Sequence, residues 1–198
     1  MTIEMIPLIS FAVLTIFTPG PNNISSASMG MLCGYRKTIH YLLGISSGFF
    51  LVMMGCAYLS SALLRVMPFA EGYLRWAGAA YILWLAKGAL FADYSLSESG
   101  QVSRAFAKGF FLQIINPKGV LYGITVYSTF LASISGRPGY LSLSAAIFSA
   151  TSFVAISTWA LSGSAIKQKL KNRSFKKGIN ISLAMLLAYT AMEISGIL

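Results

Sequence analysis

Acidic side chains are nearly missing from this sequence: five Asp and Glu stand against fifteen Lys and Arg in 198 residues. Charged residues make up only 10% of the chain, where soluble domains carry about 25%, so a soluble globular protein is not expected. Histidine occurs once, as His40. That scarcity weighs against acid-base catalysis. Gly44-Ile45-Ser46-Ser47-Gly48 has the spacing of a hydrolase nucleophile elbow, but such a hydrolase places its His after the nucleophile, and His40 precedes Ser46. The two cysteines, Cys33 and Cys56, fall at different depths of separate apolar segments, which argues against a disulfide, and they lack companions for a metal site. No phosphate-binding glycine loop, zinc-ligand cluster or dinucleotide fingerprint occurs. ATP-driven transport by this chain alone, a metal centre, a cofactor and catalytic residues are therefore not expected. The first 20 residues hold Glu4 and no Lys or Arg, and they run into Pro19-Gly20-Pro21 rather than a small-residue cleavage site. The first apolar segment is thus expected to be retained.

What is there is apolar: 56% of residues are hydrophobic, and uncharged stretches run over 5–35, 39–64, 119–136 and 140–166. A bilayer core needs about 20 apolar residues per helix, so the chain reads as an all-α integral membrane protein, a single membrane domain over 1–198. Gaps rich in charge, Gly or Pro divide it into six segments, at about 5–33, 39–64, 73–92, 104–134, 140–166 and 179–198. Six crossings place both termini on one side. Arg36, Lys37, Lys87, Arg104, Lys108 and six bases between Lys167 and Lys177 then share one face, against Arg65, Arg75 and Arg137 on the other. Basic residues favour the cytoplasm, so both termini are expected outside. The net charge of +10 suggests nucleic acid only in a soluble chain; here the basic run reads as an anchor on anionic membrane lipid.

The first and fourth segments run to about 30 residues, roughly 45 Å of helix, well beyond a hydrocarbon core of about 30 Å. Each is followed by two ordinary segments. A shift of 98 positions lays Leu14, Ile16 and Pro19 on Leu112, Ile114 and Pro117, which suggests two inverted three-helix repeats, approximately 1–99 and 100–198. Inverted repeats with paired interrupted helices are a secondary-transporter architecture, with substrate at the breaks.

The interruptions are legible. Thr18-Pro19-Gly20-Pro21-Asn22-Asn23 puts two prolines and a glycine inside an apolar run, where an unbroken helix is improbable. Freed backbone at that depth must be buried or line a cavity, and the amides of a restarting helix attract a carboxylate. Asn116-Pro117-Lys118 occupies the corresponding place in the fourth segment. An intramembrane lysine is costly and normally faces the interior with a partner, so Lys118 is expected to bind a substrate carboxylate or exchange a proton. Ser46 offers a hydroxyl to a cavity, and Tyr81 an aromatic wall. Gly44 and Gly48, four apart, read as a small-residue face for close helix contact. Of the five acids only Glu193 lies within a segment, which makes it the second proton-coupling candidate.

Taken together, Thr18 to Asn23, Gly44 with Gly48, Trp76-Ala77-Gly78-Ala79-Ala80-Tyr81-Ile82 and Asn116-Pro117-Lys118 resemble the LysE/RhtB superfamily of amino-acid exporters. The similarity spans essentially the whole chain. Trp76 to Leu85, Leu121-Tyr122-Gly123, Ser128-Thr129-Phe130 and Trp159-Ala160-Leu161 are most similar to the branch that exports cysteine and O-acetylserine. The resemblance implies a multi-pass inner-membrane protein that expels amino acids or their derivatives in exchange for protons; the small-residue faces make a homodimer one arrangement. On the letters alone, a passive pore and a membrane-embedded enzyme remain as alternatives.

Overall fold

Proline and glycine punctuate the first segment, and the chain follows them. The computed structural model describes residues 5–91, 102–134, 136–166, 169 and 172–195; side chains 60–75, 77, 78, 88, 102–104, 193 and 194 lie outside the description. Helix α1 (Met5–Phe17) and helix α2 (Pro21–Cys33) are separated by Thr18, Pro19 and Gly20 and bend by 45°. The break is shorter than the Thr18 to Asn23 motif suggests. Pro21 occupies the first helical position, where its missing N–H costs nothing and its fixed φ starts a helix at once. Asn22 and Asn23 are therefore already helical. After α2, Gly34 takes φ +79°, a region glycine enters without penalty, and α3 begins at the next residue.

Segments two and three are not separated by a loop. Helical structure is continuous through α3 (Tyr35–Leu90), 56 residues. Tyr41 and Tyr81 stand 40 positions apart, about 60 Å in a straight helix, yet Tyr81 packs against the cluster of Tyr41, Leu42 and Ile45. α3 therefore doubles back between Leu59 and Ala79, in a stretch that contains Pro68 and Gly72, residues that bend a helix. Segment four is broken as expected, into α4 (Val102–Ile114) and α5 (Pro117–Thr125). A π-helical turn, Val126–Phe130, and a 3-10 turn, Ala132–Ile134, lead to α6 (Pro138–Ile166). The last helix, α7 (Arg173–Ser195), starts earlier than position 179. Asn172 caps it, its Oδ1 accepting the Ser174 and Phe175 N–H groups at 2.9 and 3.1 Å.

Among the described residues two helices are long and apolar enough to cross a bilayer, Tyr35–Leu59 of α3 and all of α6; α1 with α2 makes a third if counted as one bent span. The fourth segment is divided between α4 and α5, of 13 and 9 residues, each too short alone, and the third and sixth segments lie partly outside the described residues. Large apolar side chains face outward on the outer helices, among them Ile6, Leu51, Phe111, Leu143 and Met185. Such a surface suits lipid. The two helices that follow the breaks, α2 and α5, lie inside.

Two tight seams join α2 to α6 and α3 to α4. An added methyl at Gly30 of α2 would stand 2.1 Å from the Ala160 carbonyl of α6, and one at Gly163 equally close to the Ala27 carbonyl. Across the second seam Gly44 of α3 meets the Phe106 carbonyl of α4 at 2.1 Å, and Gly109 meets the Tyr41 carbonyl at 2.2 Å. Backbones touch at both crossings, which only small residues allow. Gly48 adds to the second seam, its added methyl standing 2.8 Å from the Phe110 carbonyl, so the face it forms with Gly44 is consumed within the chain.

Candidate functional site

Breaking a helix frees carbonyls, and in an apolar interior each needs a donor. At the first break the donors come from four elements. Asn23, buried at the start of α2, donates to the Ile16 and Thr18 carbonyls at 2.9 and 2.8 Å. The Trp159 indole of α6 donates to the Phe17 carbonyl at 3.2 Å, and the Thr190 hydroxyl of α7 lies 3.3 Å from the Pro19 carbonyl. The fourth donor is Lys118 of α5. Its Nζ donates to Thr18 Oγ1 at 2.9 Å, to the Pro19 carbonyl at 3.1 Å and to the Thr18 carbonyl at 3.4 Å. Gly20 admits it: a Cβ there would stand 3.1 Å from Lys118 Cδ and 3.3 Å from Nζ. The ammonium thus sits at the carboxyl end of α1, where the helix dipole is negative.

At the second break Asn116 caps α5, its Oδ1 accepting the Lys118 N–H at 3.1 Å, and Pro117 takes the first helical position. The two breaks therefore have the same construction, a proline restarting a helix, and Lys118 ties one to the other. Amides make a second tie. Gln113, fully buried one turn before the break, accepts from the Asn22 amide through Oε1, and the same Oε1 lies 3.5 Å from Asn116 Nδ2.

Between the breaks lies a cavity of about 40 Å³, room for roughly three waters. Thr18, Gly20, Pro21, Asn22 and Asn23 form one wall and Gln113, Asn116, Lys118 and Gly119 the other, closed by Phe49 of α3, Tyr122 of α5 and Ser152 of α6. Among the described residues that line it, none is acidic. Three buried atoms here have no hydrogen-bond partner among the described residues: Asn22 Oδ1, Gln113 Nε2 and the Tyr122 hydroxyl. Each is worth about 1–3 kcal/mol to any ligand or water that satisfies it. The Tyr122 ring is fixed by Phe11, Phe49 and Phe148, with centroids 5.6, 5.8 and 5.9 Å away, so its hydroxyl cannot swing elsewhere.

Ser46 and Tyr81 are not among the residues that line this cavity. Ser46 and Ser149 bond reciprocally, each hydroxyl donating to the other's carbonyl at 3.1 and 2.7 Å, and so clamp α3 to α6. Tyr81 lines a second space of about 800 Å³ with a mostly apolar wall, which shares only Pro21 with the first. Glu193 lies in the last turns of α7, and its side chain is outside the described residues. Pro19 contributes its carbonyl and Pro117 its helix start; neither ring lines the cavity.

Residues 13–195 match the family described as LysE type translocator. The chain belongs to that family. It is 36% identical over 192 residues to proteins named cysteine/O-acetylserine efflux protein in Escherichia coli (strain K12) and in Shigella flexneri, covering 93% of this chain and 94% of each relative. Its relatives are thus efflux transporters rather than enzymes. No solved structure matches.

Sequence reasoning missed Gln113, Tyr122, Phe49 and Ser152. Only Gln113 carried a signal: it is the one polar side chain in Gly109-Phe110-Phe111-Leu112-Gln113-Ile114-Ile115, and an amide in such a run needs partners. The other three read as ordinary helix residues until the breaks bring them together.

Proposed function

We propose that this translocator is a secondary-active exporter of small neutral amino acids or their derivatives, of the cysteine and O-acetylserine kind, which exchanges them for protons across the inner membrane. The observation that carries the reading is the cavity between two matched helix breaks, crossed by Lys118 and by the Asn22–Gln113 amide bond. The names of the relatives support the substrate class. Thr18, Pro19, Gly20, Pro21, Asn22, Asn23, Asn116, Pro117 and Lys118 build the site, and both termini face outside. The two glycine seams, α2 on α6 and α3 on α4, each join a broken segment of one half to the second segment of the other, as two inverted repeats do.

At about 40 Å³ the cavity is too small for an amino acid, so the halves rock about the breaks to admit substrate. Lys118 is the group that changes partners as they move. Glu193, the one acid inside an apolar segment of the sequence, is the second coupling residue. The test is a single cysteine at the cavity wall, Ser152→Cys, in a chain carrying Cys33→Ser and Cys56→Ala. L-Cysteine is unsuitable there, so O-acetyl-L-serine is added and alkylation by a small maleimide is timed. Protection that saturates with the amino acid is expected; an unchanged rate, with the variant still folded, removes the cavity from the transport path.

A further inference from the structure

The two orphan amide atoms in the cavity are of opposite kind. Asn22 Oδ1 accepts, Gln113 Nε2 donates, and neither has a partner among the described residues. They belong to side chains already joined by the Asn22 Nδ2 to Gln113 Oε1 bond, so acceptor and donor are neighbours across the junction of the two halves. The structure goes to some length to keep Gln113 there. The residue is fully buried. An added methyl at Gly119 of α5 would stand 2.3 Å from Gln113 Nε2, and one at Gly48 of α3 would stand 3.1 Å from Gln113 Cβ, so a glycine on each side clears its path. A buried carboxamide held in this way and left half-satisfied is costly unless a ligand completes it.

We propose that Asn22 and Gln113 form the seat of the α-amino-acid headgroup, Asn22 Oδ1 receiving the ammonium and Gln113 Nε2 the carboxylate, an inference that rests on the export reading above. An α-amino acid carries both charges on substituents of one carbon, and the joined amides offer acceptor and donor at correspondingly close quarters. Lys118 is then not the carboxylate's partner in this conformation, since its ammonium is spent on the Thr18 and Pro19 oxygens.

Gln113→Glu isolates the donor. It keeps an oxygen that accepts from Asn22 and Asn116 and puts a second oxygen, with a negative charge when ionised, in place of the amide that faces the carboxylate. In proteoliposomes, KM is measured for L-cysteine or L-serine, whichever the wild type carries better, with the decarboxylated counterpart, cysteamine or ethanolamine, as competitor. A melting curve verifies folding. The variant is expected to raise KM about 10- to 100-fold, the worth of a hydrogen bond to a charged group, while the amine, which has no carboxylate to be repelled, competes at least as well as before. Gly119→Ala, which pushes the Gln113 amide aside, is expected to raise KM in the same sense. A wild-type KM in folded Gln113→Glu, or an equal loss for amino acid and amine, overturns the seat while leaving the exporter intact. No transport of either amino acid by the wild type overturns both.

Discussion

A lysine inside a membrane protein has three N–H groups to place, and Lys118 places them on the oxygens of Thr18 and Pro19, freed where α1 ends. Its energetic role follows from those partners. In Lys118→Met the carbonyls at the first break lose a charged donor in a setting that water does not reach freely, a cost of about 1–3 kcal/mol. The variant is expected to melt at a lower temperature in detergent and to lose export. Lowered stability with full export would make Lys118 a structural tie alone. The lysine was legible in the sequence because charge in an apolar run is conspicuous and has few explanations. Its partner was not, since nothing local links position 118 to Thr18, 100 residues earlier. Gln113 shows the reverse: an uncharged amide draws little notice, and its importance appears only when Gly48, Gly119 and Asn22 are seen around it.

The helix breaks were readable because proline, glycine and asparagine act on their own neighbourhood. What they could not convey is how economical the breaks are: three residues at the first and two at the second, each ended by a proline at the first helical position. The reversal of α3 was read as a loop between two segments, because Pro68, Gly72 and nearby charge interrupt the apolar pattern, yet helical bonding passes through it. The glycines divide by what they touch. Gly30→Ala forces a methyl to within 2.1 Å of the Ala160 carbonyl, and the backbone cannot yield as a side chain would, so a loss of about 1–3 kcal/mol or more is expected. Gly55→Ala meets nothing within 4 Å and should leave stability unchanged or raise it by up to about 1 kcal/mol, through helix propensity. Thermal unfolding of the two variants side by side checks the contrast; equal effects would mean that the α2–α6 seam is looser than described.

Over the whole molecule, the half-helices that follow the breaks are the buried ones, and the outer helices carry the apolar faces. Three of the buried polar residues, Asn23, Gln113 and Asn116, lie beside the breaks. Fold class and family were legible from composition and motif, since few arrangements suit a chain with 56% hydrophobic residues and paired prolines in its longest runs. The depth of the site was not, because it depends on Phe49, Tyr122 and Ser152, which arrive from three different helices. Purified protein in liposomes loaded with a labelled neutral amino acid gives the most direct reading of function. Efflux that saturates with substrate and accelerates under an imposed pH gradient is expected; efflux that rises linearly with concentration and ignores the gradient contradicts a carrier built on two breaks.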